Sequence, residues 1–268
     1  MKRKVIFKYI IEFLIAIFLF FLIISLILKF TIFNESYLLK KIEENNYYDT
    51  LYDNIQEEMS YYIVQSGLEK EVLNNIYTID DIKKDVNALV KSFCANEKVT
   101  FDTLEIRNRL EQNILEYLTK NNIKISDEES LTDFVNKMIE VYEECINLSN
   151  GLSKISDTFN MLSNFLNYFI IITTIVLFLM IVYLWLLHRN NFGVSSLTVG
   201  ILLILLNFLA IKYIDIENIL FYSSEISNII KDIVFNILNT IKYFGYAFIV
   251  YGIIASSISP IINKIRKK

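Results

Sequence analysis

Four long stretches of the chain are almost free of charge, and the charged residues crowd into the segments between them. Val5 to Phe30 is apolar apart from Lys8, Glu12, Ser25 and Lys29. Tyr168–Leu187, Phe192–Ile211 and Tyr243–Ile262 carry no charge at all. A hydrocarbon core of about 30 Å takes about 20 helical residues to cross, so each stretch is long enough to span a membrane. The pattern predicts spanning helices over 5–30, 166–187, 192–212 and 243–262. The first begins Met-Lys-Arg-Lys, as a secretory signal does, but its apolar part is too long and no small-x-small cleavage site follows. It reads as an uncleaved signal anchor.

Between the first and second spans, apolar residues recur at three- and four-residue steps, the helical period. Tyr48, Leu51, Tyr52, Ile55, Met59, Tyr62 and Ile63 form one stripe, stopped at Gly67. A short helix with Leu68, Val72, Leu73 and Ile76 follows. Thr78 is placed to cap a helix with an inner face of Ile79, Ile82, Val86, Val90 and Phe93. The next helix is lined by Leu104, Leu110, Ile114, Tyr117 and Leu118 and closes at Lys120-Asn121-Asn122. Ser126 and Glu129 have capping-box spacing, which starts the last helix near Asp127. From there two heptad registers run into the second span. One holds Leu131, Met138, Cys145, Leu152, Phe159 and Leu166; the other holds Phe134, Val141, Leu148, Ile155, Leu162 and Phe169. Such a seam predicts a long coiled-coil-like helix, interrupted only by Gly151, packed on its neighbours or on a second copy. The neighbours are favoured, since they too have stripes to bury. The expected fold is all-α: a four-span helical membrane protein with a helical bundle at 35–160.

The segment 215–242 is too polar to span. Ile226, Ile230, Ile233, Ile237 and Ile241 lie on one face, with Glu225, Asn228, Lys231, Asp232, Asn236 and Asn239 mainly on the other. It is expected as a separate amphipathic helix on the outer side, lying in the interface or docked beneath the 35–160 domain.

Charge orients the chain. Lys2, Arg3, Lys4 and Lys8 precede the first span, Arg189 sits between the second and third, and Lys264, Arg266, Lys267 and Lys268 end the chain. Four spans put all three groups on one side, which the positive-inside rule makes the cytoplasm. Both termini are then cytoplasmic and 35–160 lies outside. That segment holds 25 acidic and 13 basic residues. So acidic a surface repels nucleic acid and favours cations or basic partner surfaces.

Composition narrows the chemistry further. The chain is 54% hydrophobic, and its single Pro and six Gly leave helices uninterrupted and supply neither a Walker A loop nor a dinucleotide fingerprint. The one histidine, His188, leaves no second His for a zinc-protease motif and reads as an interfacial flank. The acid pairs Glu43-Glu44, Glu57-Glu58, Asp80-Asp81, Glu128-Glu129 and Glu143-Glu144 point about 100° apart on a helix and read as solvated faces. Cys94 and Cys145 allow a disulfide in an oxidising exterior, although a buried thiol is the simpler expectation. No catalytic, cofactor-binding or metal-binding residue is assigned, and no enzyme activity or cofactor is expected.

Polar residues inside the spans are the remaining candidates. Glu12 is expected to pair with Lys8. Asn207, with Gly193, Ser196 and Gly200, makes a small polar face, matched on the last span by Gly245, Gly252, Ser256 and Ser259. Helix packing is the expected role of this face, with a substrate path as the alternative.

The order of one span, a large outer domain and three closely spaced spans resembles the permease subunits of the FtsX/MacB class of ABC transporters. That resemblance implies mechanical transmission. It fails at His188–Asn191, which is too short for the coupling helix such subunits offer an ATPase. The string KKIEENNYYDTLYDNIQEEMSYYIVQSGL also resembles membrane proteins of low-GC Gram-positive bacteria, which implies no activity. The expected function is a non-enzymatic envelope protein of the cell membrane, seated in the lipid bilayer. Its outer domain binds a protein partner or a second copy as a scaffold or signal transmitter. A transporter or permease-like subunit is the alternative.

Overall fold

A computed structural model describes residues 2–123, 128–146, 152–186, 192–220 and 224–265. Among them every regular element is helical: α1 (Lys2–Phe30), α2 (Glu35–Glu44), α3 (Tyr47–Gln65), a 3-10 turn (Lys70–Leu73), α4 (Ile79–Ala95), α5 (Leu104–Lys120), α6 (Glu128–Ile146), α7 (Leu152–Leu186), α8 (Phe192–Tyr213) and α9 (Ser224–Ile265). Four of them, α1, α7, α8 and α9, are long and apolar enough to cross a membrane. Ser126, Gly151, the His188–Asn191 turn with Arg189, and Arg266–Lys268 lie outside the described residues, as do the side chains of Lys2, Arg3, Lys4, Lys8 and Lys264. The expected Lys8–Glu12 pair and the seam across 147–151 therefore fall outside them too.

The chain forms two compact units. The first, Leu38–Asn160, is a helical bundle. Its core is built from Ile55, Met59 and Ile63 of α3, Ile82 and Val86 of α4, Leu110 and Ile114 of α5, and Met138, Tyr142 and Ile146 of α6, with Val72, Leu73 and Ile76 between them. Each such side chain contributes about 1.5–3 kcal/mol on burial. Local signals fix the helix ends. Gly67 has φ +81°, and the Leu68 and Gly67 amides donate to Ile63 and Val64 carbonyls at 3.2 and 3.1 Å, a left-handed closing turn. Thr78 and Asp81 make a reciprocal capping box at the start of α4.

Two inner faces differ from expectation. Ile79 and Leu104 are exposed, because each is the first residue of its helix. A helical side chain covers the turn before it, and at the first position there is none. In α6 the buried stripe is Val135, Met138, Ile139, Val141, Tyr142 and Ile146. Cys145, Leu131 and Phe134 of the heptad registers lie at its half-buried margins. The helix faces α3, α5 and α4, so its wide stripe suits a bundle wall better than a narrow two-strand seam.

The second unit contains α1, α8, α9 and α7 from Met161 onward. Its core joins Ala16, Ile23 and Ile27 of α1, Val199 and Leu203 of α8, and Ile237 and Ile241 of α9. From Ser224 onward the 215–242 segment and the last span share one helix. α9 is one helix of 42 residues. Of the isoleucine face expected at an interface, Ile237 and Ile241 are buried and Ile233 is packed against α1 and α8, whose apolar surfaces need a third helix. α7 meets this unit through Leu177 and Leu184 against Ile11 and Ile15. Most of its remaining large side chains, from Phe165 to Trp185, are exposed.

Candidate functional site

In the spanning unit, the small polar face noted in the sequence lies at the α8–α9 seam. A Cβ added at Gly193 would come within 2.6 Å of the Ser256 amide nitrogen and 3.0 Å of the Gly252 carbonyl. One at Gly252 would meet the Leu197 nitrogen at 2.7 Å. One at Gly200 would meet the Gly245 carbonyl and the Ile249 nitrogen at 2.8 Å. The two helices approach most closely where Gly193 faces Gly252 and Gly200 faces Gly245, and a methyl at Gly193, Gly200 or Gly252 would run into backbone atoms of the other helix. A further seven residues along α8, the Asn207 amide donates to the Leu238 carbonyl at 2.7 Å. The helices are antiparallel, and the three contacts repeat every seven residues on both.

The serines complete the arrangement. Ser196 donates to the Phe248 carbonyl of α9 at 2.8 Å, and Ser195 to the Glu12 carbonyl of α1 at 3.0 Å. Asn207, Ser195 and Ser196 are all buried and all bonded to the backbone of a neighbouring helix. This arrangement holds helices together, as small and polar residues do in lipid. Glu12 is also buried, near the start of the same seam.

In the Leu38–Asn160 unit, sequence reasoning missed a buried polar centre. Asp85 of α4 and Tyr142 of α6 are 4% and 0% exposed. The Tyr142 hydroxyl donates to Asp85 Oδ2 at 2.9 Å. Tyr77 packs on Tyr142 with ring centroids 5.5 Å apart and donates to Gln56 Oε1 at 2.9 Å. Burial holds the Asp85 carboxyl above the usual carboxylate range, although the Tyr142 hydrogen bond and Lys84 pull it back down. Burial likewise raises both tyrosines, and pushes the Cys145 thiol up to about 11. In each of these groups burial disfavours the ionised form. Cys94 and Cys145 form no disulfide. The signal for Asp85 was present: it stands between Ile82, Val86 and Leu89 at helical spacing, a core position occupied by an acid.

At the surface of this unit, a hollow of about 690 Å³ is lined by Asp53, Gln56, Glu57, Ser60, Tyr61, Val64 and Gln65 of α3 with Lys70. Tyr61 and Val64 are 60% and 53% exposed beside the carboxylates. A second hollow of about 580 Å³ lies along α5 at Asn108, Glu111, Gln112, Leu115 and Glu116. Among the described residues no group of three or more His, Cys, Asp or Glu side chains is placed to hold a metal ion. The chain matches no protein-family model, no curated protein and no solved structure.

Proposed function

We propose that this chain is an integral membrane protein whose Leu38–Asn160 bundle binds a protein partner, and whose four spans anchor or transmit that event. The bundle is placed outside the cytoplasm, with both termini inside, on the distribution of basic residues. The observation that carries the reading is the α3 hollow. An exposed tyrosine and valine sit there beside Asp53 and Glu57, on a segment with almost twice as many acids as bases. Exposed tyrosine is enriched in protein-binding surfaces, and the acidity around it suits a basic partner segment.

Two further features support binding over catalysis or transport. The buried Asp85–Tyr142 centre is closed by its own hydrogen bond. Asn207, Ser195 and Ser196 are engaged with helix carbonyls, which favours packing over a substrate path.

The test is a photo-reactive amino acid placed at Tyr61 in the full chain, in native membranes. The expected result is one discrete protein adduct that disappears in Asp53→Lys/Glu57→Lys. An adduct with a second copy of the chain assigns the face to self-association. No adduct, or the same adducts from Tyr61 and from Leu115 of α5, overturns the reading.

A further inference from the structure

The contacts that lock α8 to α9 also fix the level of every residue of α9 relative to α8. Lys242 is bracketed along α9 by Leu238 and Gly245, whose partners on α8 are Asn207 and Gly200. Those partners bracket the middle of a 22-residue helix, Phe192–Tyr213. Lys242 therefore lies about ten residues, or about 15 Å, from either end of α8. The same register sets Lys231 and Asp232 beside the Lys212 end of α8, where charges meet headgroups. Hydropathy alone begins the last span at Tyr243; the register begins it about ten residues earlier and draws a lysine into its centre.

Lys242 cannot reach water along its own stem, since four carbons fall well short of about 15 Å. It lies about 100° around α9 from the buried Ile241, at the margin of the seam with α8, and is half-buried. Among the described residues it makes no hydrogen bond or ion pair. The carboxylates of its own unit lie at other depths. Asp232 is ten residues, about 15 Å, along α9. Glu12 sits by Ser195, eight residues, about 12 Å, from Leu203. A second copy aligned in the same direction offers acids only at those depths. A charged group at mid-membrane is rare, costly alone, and characteristically paired with an opposite charge.

We propose that Lys242 is one half of an intramembrane ion pair, and that the chain assembles with a different membrane protein whose span carries an Asp or Glu at mid-depth. Lys242 and the exposed face of α9 beside it form the docking surface, and the charge selects the partner. This surface is independent of the α3 hollow, so either can fail without the other.

The test uses the full chain reconstituted in liposomes with a fluorescent leucine-rich spanning peptide carrying one Asp at its centre. Comparison peptides carry Leu at the centre, or Asp one turn from the end. Energy transfer should show the centre-Asp peptide associating roughly tenfold more strongly than either comparison peptide. The preference should persist in Lys242→Arg and vanish in Lys242→Met. Equal association of the three peptides, or a preference that survives Lys242→Met, overturns the proposal. A second arm tests depth. Lys242→Cys should resist a water-soluble maleimide that labels Lys212→Cys; equal labelling overturns the placement and the proposal with it.

Discussion

The Tyr142 hydroxyl and the Asp85 carboxylate meet at 2.9 Å across 57 residues of sequence, joining α6 to α4 inside the bundle. Burial penalises the ionised carboxylate, so its proton affinity is higher in the folded than in the unfolded chain, whose reference value is 3.8. The stability this group contributes is fully present below the unfolded value and is lost as pH rises through the folded one. Asp85→Asn keeps an acceptor for Tyr142 and removes the buried charge. It should hold or raise stability at neutral pH and flatten the decline across the acid range, as measured by denaturant melts at several pH values.

Tyr142→Phe does the opposite. It deletes the donor and leaves the carboxylate buried among apolar neighbours. A loss of about 1–3 kcal/mol is expected. In a double-mutant cycle with Asp85→Asn, coupling near zero would show that the two side chains do not depend on one another.

The glycines of α8 and α9 should differ in tolerance. Gly200→Ala drives a methyl onto backbone atoms of α9 at 2.8 Å, whereas Gly245→Ala chiefly meets the movable Ile204 side chain at 2.8 and 2.9 Å. Gly200→Ala should therefore cost about 1–3 kcal/mol and Gly245→Ala distinctly less. Melting in one detergent ranks them; equal losses would mean that the helices separate freely.

Asn207→Leu removes the donor to Leu238. In a lipid-like medium such bonds average about 0.6 kcal/mol and reach about 1.7, so the variant should express and fold with a small loss. Loss of partner binding at normal protein levels would instead give Asn207 a role beyond packing.

Cys145 should react slowly. A thiol raised from 9.0 to about 11 is ionised about 100-fold less often at neutral pH. Alkylation of the full chain in a Cys94→Ser background should lag a small-molecule thiol by at least that factor, and approach it on unfolding.

The four apolar helices were legible because about 20 uncharged residues in a row have few other uses. The stripes at Ile55, Met59 and Ile63, and at Leu110 and Ile114, were equally plain, as was the Thr78 cap. Three features were hidden for different reasons. Ile79 and Leu104 look like core by period but stand at helix starts, where tertiary contacts are fewer. Asp85 and Tyr142 could be seen only as exceptions, since burial of an acid is decided by a partner 57 residues away. The depth of Lys242 is a property of two helices together. Hydropathy weighs α9 alone, whereas Gly245 and Leu238 tie it to α8.

The repeat of the α8–α9 contacts restricts how the pair can move. Gly193, Gly200 and Asn207 act as teeth about 10 Å apart, meshed with Gly252, Gly245 and Leu238. Sliding one helix by a single turn would carry Gly193 and Gly200 off the glycines they face and break the Asn207–Leu238 hydrogen bond. Piston strokes of a few ångströms are thereby closed to this pair. A signal crossing the membrane through α8 and α9 must travel as a tilt of both helices, like a gear pair turning as one piece.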